Sequence, residues 1–195
     1  MLVHDLIRAA ADGRLPAWAR VGEARRAHIE RVVALLDAWA VASGVDEHER
    51  IRWRAAGWLH DALRDADPAE LRPMVPEAAR DLPGPLLHGP ACAGQLKQAG
   101  VEDRSILSAV AWHTIGHPSL DRVGRMLYLA DFLEPGRHFE PAWRARLRAR
   151  MPEAAADVIR DVAAARIRHL LNSRSIVRRE TVDFWNQLVS DAPAA

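Results

Sequence analysis

AAGWLHDALRD, residues 55–65, decides how the rest of the chain reads. Asp46 with Glu49 three residues on forms a capping-box pattern, which opens a helix through Ile51, Ala55, Trp58 and Leu59. That helix ends near His60-Asp61, so an imidazole and a carboxylate stand side by side where apolar neighbours imply burial. A buried carboxylate needs a cation, a metal or several hydrogen bonds to offset its desolvation. Taken alone, the pair also fits a hydrogen-bonded polar pair in the core.

Working outward, helical spacing recurs almost everywhere. Ile29, Val32, Val33, Leu36, Trp39 and Ala40 form one stripe over about 23–43, which Gly44 stops. Further helical patterns fall at about 90–98, 103–113, 119–133, 152–171 and 179–190, with Gly100, Gly116 and Pro135-Gly136 between them. Residues 65–90 hold six of the twelve prolines, so this stretch is expected as loops or short helical turns. No convincing alternating strand, repeat or low-complexity linker interrupts the pattern. The expectation is an all-α fold, one domain over residues 1–195 with its core at about 20–190, carrying a proline-rich irregular insertion.

Composition narrows the chemistry. The 195 residues are 49% hydrophobic and 27% charged, the balance of a globular chain, and 27 Lys+Arg against 26 Asp+Glu leave a formal charge of +1. No global field would draw nucleic acid or an anionic membrane, so charge recognition must be local. The single cysteine, Cys92, cannot form an internal disulfide and suits a reducing cytoplasm. With no signal-peptide pattern and no long apolar run, the chain is expected to be cytoplasmic.

Nine histidines beside one cysteine mean that a transition-metal site would use His, Asp and Glu. Several of them interrupt apolar runs: His28 in RRAHIERVV, His88 in LLHGPACAG, His113 in SAVAWHTIG, and Asp131 in MLYLADFLEPG. Each one alone reads first as a capped or hydrogen-bonded structural residue, and only the set points elsewhere. Bringing five segments of this kind into the core is costly unless the groups share a partner, and a metal centre is such a partner. Imidazoles and carboxylates without thiolate suit Fe, Mn, Zn or Co, and a carboxylate can bridge two ions.

The order His28, His60-Asp61, Asp131 resembles the signature of the HD-domain metal-dependent phosphohydrolases. LLHGPACAG, AWHTIGHPSL, LYLADFLEPGRHF and the tail SIVRRETVDFWNQL are similar to strings of the YqeK-type subgroup, bacterial symmetrical diadenosine tetraphosphate hydrolases. The resemblance spans about residues 20–190. It implies an all-helical fold around two metal ions, usually iron, with His28, His60, Asp61, His88, His113 and Asp131 as ligands and Asp61 bridging. Such ions lower the pKa of a water and neutralise phosphoryl charge. Arg64 stands where the subgroup carries a lysine, and a planar fork is not equivalent to an ammonium. Arg64, Thr114, His117 and Arg137 are the expected substrate contacts, with Asp61 and Arg64 in catalytic roles. A nucleoside mono- or triphosphate, a guanosine alarmone, or a non-catalytic nucleotide-sensing role are the alternatives.

The remaining features read as structure. Cys92 is expected to pack, as are Trp39, Trp53, Trp58 and Trp112, while Trp18 and Trp143 stay open. Exposed tryptophans would mark a homodimer face. Arg144, Arg146, Arg148 and Arg150 spread around a helix without interleaved aromatics, which predicts a solvated surface rather than an RNA contact.

Overall fold

Four aspartates start helices by accepting a backbone N–H that would otherwise be unpaired. Asp46 accepts from Glu49, Asp67 from Ala69, Asp103 from Ile106 and Asp121 from Gly124. In the computed structural model, which describes residues 3–191, the chain forms ten α-helices and, among the described residues, no strand. The end residues 1–2 and 192–195 of the expected domain lie outside the described residues. The helices are α1 (Asp5–Ala11), α2 (Glu23–Ala42), α3 (Glu47–Leu59), α4 (Pro68–Leu71) and α5 (His88–Gln98). They continue with α6 (Arg104–Trp112), α7 (Arg122–Leu133), α8 (Pro141–Arg148), α9 (Ala155–Asn172) and α10 (Arg179–Ser190).

The all-α expectation holds, and the proline-rich stretch is one short helix with three 3-10 turns at Arg72–Met74, Glu77–Ala79 and Gly84–Leu86. Two elements differ from the sequence reading. α1 is a short helix capped by His4, whose Nδ1 accepts the Leu6 N–H at 3.1 Å. α8 carries Arg144, Arg146 and Arg148 of the arginine run, with Arg150 just beyond it, but Arg144 is buried at 6% exposure rather than solvated. Its Nε donates to the Phe139 carbonyl at 2.7 Å and its Nη1 to that of Phe132, while Arg148 donates to Leu133 at 2.6 Å. The carbonyls at the end of α7 lack helical partners and draw these guanidinium groups inward.

α3 and α7 are the central helices. α3 packs on α1, α2, α6 and α7; α7 also meets α2, α6, α8 and α9. One apolar cluster gathers around α7 with Tyr128, Leu36, Trp53 and Phe184, and a second lies between α3, α5 and the proline-rich stretch with Leu59, Leu87, Leu96 and Ile106. Trp39, Trp53 and Trp58 are buried as expected, Trp112 is half-buried, and none of the seven tryptophans offers an exposed ring. Cys92 is buried and its thiol donates to the Leu59 carbonyl at 3.1 Å; burial pushes the thiol's pKa up. No described helix is long and apolar enough to cross a membrane.

Asp103 ties α6 to α3 as well as capping it, because Arg52 donates to both its oxygens at 2.7 and 2.9 Å. Burial alone would raise the Asp103 carboxyl, but the Arg52 bond outweighs it and the pKa is lowered. A carboxyl lowered by folding contributes stability above its unfolded value and loses it as pH falls through the folded value. Asp103→Asn is therefore expected to cost about 1–2 kcal/mol at neutral pH, a gap that closes as pH drops well below about 3.9. Thermal melts of both proteins at pH 7 and pH 3 check this; a gap unchanged at pH 3 contradicts it.

Candidate metal centre

Six polar groups from five elements meet in the space between α2, α3, α5, α6 and α7. His28 comes from the side of α2 and Asp131 from α7 near its end; His60 and His113 cap the C-termini of α3 and α6. Asp61 follows His60 in a turn, and His88 is the first residue of α5. All six are buried: His28 5%, His60 0%, Asp61 3%, His88 3%, His113 2% and Asp131 6% exposed. Gly89 makes the α5–α6 approach possible, since a Cβ there would lie 2.7 Å from the Val110 carbonyl oxygen.

The backbone fixes the tautomer of three imidazoles. His60 Nδ1 lies 2.7 Å from the Gly57 oxygen, His88 Nδ1 3.0 Å from that of Pro85, and His113 Nδ1 2.9 Å from that of Val110. A carbonyl only accepts, so each Nδ1 carries the hydrogen and each Nε2 offers a lone pair inward. His28 Nδ1 donates to Glu134 Oε1 at 3.2 Å, with the same result.

Those lone pairs face one another and the two carboxylates. His28 and His60 Nε2 are 3.4 Å apart, His88 and His113 Nε2 3.2 Å. Asp61 Oδ2 lies 3.6 Å from both His28 and His60 Nε2, while its Oδ1 lies 3.1 and 3.5 Å from His88 and His113. Asp131 Oδ1 is 3.3 Å from His28 Nε2. Acceptor atoms crowded together without hydrogens between them repel, and a cation among them turns the repulsion into coordination. Two overlapping sets, His28/His60/Asp131 and His60/Asp61/His113, place their donor atoms within 4.8 Å of one another and could hold a metal ion. The donor set therefore fits a borderline or hard transition metal.

Electrostatics keep the set ready to bind cations. Burial pushes the His60 pKa down to about 4, so its ring is neutral at pH 7. Burial would raise Asp131, yet the Arg137 and Arg166 guanidinium groups beside it hold its carboxyl well below the usual carboxylate range.

Several residues that complete the centre have no signal in the sequence. Arg25 Nη1 donates to Asp61 Oδ2 at 2.7 Å, and Arg166 from α9 lies 3.4 Å from Asp131 Oδ2. Glu134, 2% exposed, holds His28 and also accepts from Arg31 Nε at 2.5 Å and Gly136 N at 2.7 Å. Among the expected substrate contacts, Arg137 clamps Asp131, bonding its carboxylate and, at 3.2 Å, its carbonyl. Thr114 Oγ1 lies 3.0 Å from His113 Nε2. Arg64 makes no ion pair among the described residues, though its charge helps lower His88 after burial has done most of that. His117 is not brought to the cluster: its ring stacks on Trp112 at 4.8 Å and its Nδ1 accepts the Ser119 N–H at 2.9 Å, which holds the α6–α7 turn.

Comparison with known proteins agrees with this geometry. A protein of Halalkalibacterium halodurans named symmetrical bis(5'-nucleosyl)-tetraphosphatase is 29% identical over 69% of this chain and 74% of its own. One of Staphylococcus aureus with the same name is 27% identical over 67% and 71%. One of Bacillus subtilis, again so named, is 32% identical over 43% and 48%. A crystal structure of a predicted HD superfamily hydrolase involved in NAD metabolism from Clostridium acetobutylicum shares the fold, with TM-score 0.77 and 23% identity over 98% of this chain and 100% of its own. The HD-domain family profile matches residues 25–136, more than half of the 195 residues and all but the outer helices of the His/Asp cluster's surroundings, so the chain belongs to the HD-domain family.

Proposed function

We propose that this protein is a cytoplasmic metal-dependent phosphohydrolase that splits dinucleoside tetraphosphates symmetrically, diadenosine tetraphosphate and water giving two ADP. The tetraphosphatase names of its relatives support the substrate class. One observation carries the chemistry: Asp61 turns one oxygen to the His28/His60 pair and the other to the His88/His113 pair. We assign His28, His60, Asp61 and Asp131 to one ion and His88, His113 and Asp61 to a second, iron for preference, with Mn, Co or Zn fitting the same donors. Ions bound there would supply a lowered water pKa and neutralise charge on the phosphoryl oxygens.

The chain does the rest. Its carbonyls and Glu134 hold the four imidazoles in one tautomer, Arg137 and Arg166 keep Asp131 ionised, and Arg25 bonds Asp61. Arg64, Thr114 and Arg137 would meet the phosphate chain, while His117 holds its own turn through Trp112 and Ser119. Water adds to one of the two central phosphorus atoms, and the oxygen bridging that pair leaves with the other ADP and takes up a proton. No nucleophilic side chain is needed, and the buried Cys92 thiol does not serve as one.

Competition across diadenosine tetraphosphate, ATP, AMP and a guanosine 3'-diphosphate tests the substrate: the tetraphosphate is expected to have the highest kcat/KM, and faster turnover of any of the others contradicts the assignment. Glu134→Gln tests the positioning of His28. It should lower metal affinity about 10- to 100-fold in a metal titration, and an unchanged affinity contradicts the role.

A further inference from the structure

Beside His28 a cleft of about 680 Å3 opens, lined by four arginines. Three of them are paired: Arg25 lies 2.7 Å from Asp61, Arg31 2.5 Å from Glu134, and Arg137 is bonded to Asp131. Arg144 has no carboxylate partner among the described residues. It is 6% exposed, held by the Phe132 and Phe139 carbonyls and stacked 3.8 Å over the Phe132 ring. Burial pushes its pKa down to about 10, and repulsion from Arg137 and Arg166 adds to this. A buried cation bonded to carbonyls and a ring, on which repulsion from two cations outweighs the attraction of the more weakly felt Asp131 and Glu140, is stabilised by an incoming anion. At the same cleft Phe139 is 65% exposed, which leaves its aromatic face open to a flat partner.

We propose that this cleft is a subsite for one nucleoside diphosphate half of the substrate, in which Arg144 takes a phosphate oxygen and the Phe139 ring stacks on the base. The proposal rests on the dinucleoside polyphosphate reading, and it adds the residues that would recognise the nucleotide outside the metal cluster. It separates two chemistries, charge at Arg144 and a π-face at Phe139, that can be removed independently.

Isothermal titration of ADP and of inorganic tripolyphosphate into the purified protein tests it. Arg144→Gln is expected to weaken both ligands about 10- to 100-fold, as loss of a charge-assisted bond does. Phe139→Ala is expected to weaken ADP about 10-fold and leave tripolyphosphate unchanged. The rise in Tm on adding metal should be the same in all three proteins, which separates the subsite from damage to the metal cluster. Because Arg144 also holds the end of α7, its variant is scored only if it melts cooperatively; the exposed Phe139 serves where it does not. Wild-type ADP affinity in Phe139→Ala, or in a folded Arg144→Gln, overturns the proposal. Absence of tetraphosphate turnover alongside intact ADP binding would instead overturn the substrate reading and leave the subsite standing.

Discussion

Asp61→Asn is expected to lower turnover by about 1,000-fold or more, the scale on which removal of a central electrostatic element acts. Asparagine keeps the shape and one oxygen, but it replaces the other with an NH2 group and removes the negative charge. In the wild type both oxygens face imidazole lone pairs, at 3.1 and 3.5 Å on one side and 3.6 Å on the other. The variant therefore cannot share a cation between the two histidine pairs. The same change has the opposite effect on the metal-free fold. An amide can donate into His88 or His113 Nε2 and relieve the contact between acceptors, so the metal-free variant should melt no lower than metal-free wild type. Metal at about 1,000 times its Kd should stabilise the wild type by about 4 kcal/mol, roughly 8–16 °C in Tm, and leave the variant unmoved. A variant with near-wild-type turnover, or with the full metal-induced rise, contradicts the ligand assignment.

Gly116→Ala is expected to be the most damaging single methyl near the site. Gly116 follows His113 in the turn from α6 and has φ +77°, a conformation that costs other residues about 1–2 kcal/mol. A Cβ there would lie 2.3 Å from Phe184 Cδ1, and Phe184 is 1% exposed in the cluster around α7. The ring cannot step aside without moving α10, whose Thr181 also donates to the Ile115 carbonyl at 2.9 Å. Overpacking and backbone strain together should cost about 2–4 kcal/mol, lowering Tm by roughly 4–16 °C. The turn also carries His113, so metal affinity should fall in parallel. A melt within 2 °C of wild type, about the shift from a neutral surface change, contradicts this account of the turn.

How much was legible follows from what kind of signal each residue leaves. His60-Asp61, His113 and Asp131 stand out because a polar group inside an apolar run announces burial, and their order along the chain carries the family pattern. The helix start at Asp46 was legible because capping is local, whereas the cap at Asp103 was not singled out. Glu134, Arg25 and Arg166 were not, since their roles depend on partners 106, 36 and 35 residues away. Glu134 in particular sits at the end of an apolar run before Pro135-Gly136, where it reads as a helix terminus. Arg144 was misread for the same reason: alternating arginines look solvated until the unpaired carbonyls at the end of α7 are seen beside them. His117 looked like a companion of His113 by sequence, but its partners are Ser119 and the Trp112 ring rather than the cluster. Charge-neutral composition proved informative in an indirect way. It excluded recognition by a bulk field, and the structure gathers four arginines along one cleft beside His28.

Symmetrical cleavage at a shared-carboxylate centre is tested most directly by the identity of the products. The purified protein, loaded with iron or manganese, is incubated with diadenosine tetraphosphate in 18O-labelled water, and the nucleotides are resolved by chromatography and mass. The account predicts ADP as the sole nucleotide product, with one label for every two ADP formed. ATP with AMP, or no turnover with any of iron, manganese, cobalt or zinc, would contradict it.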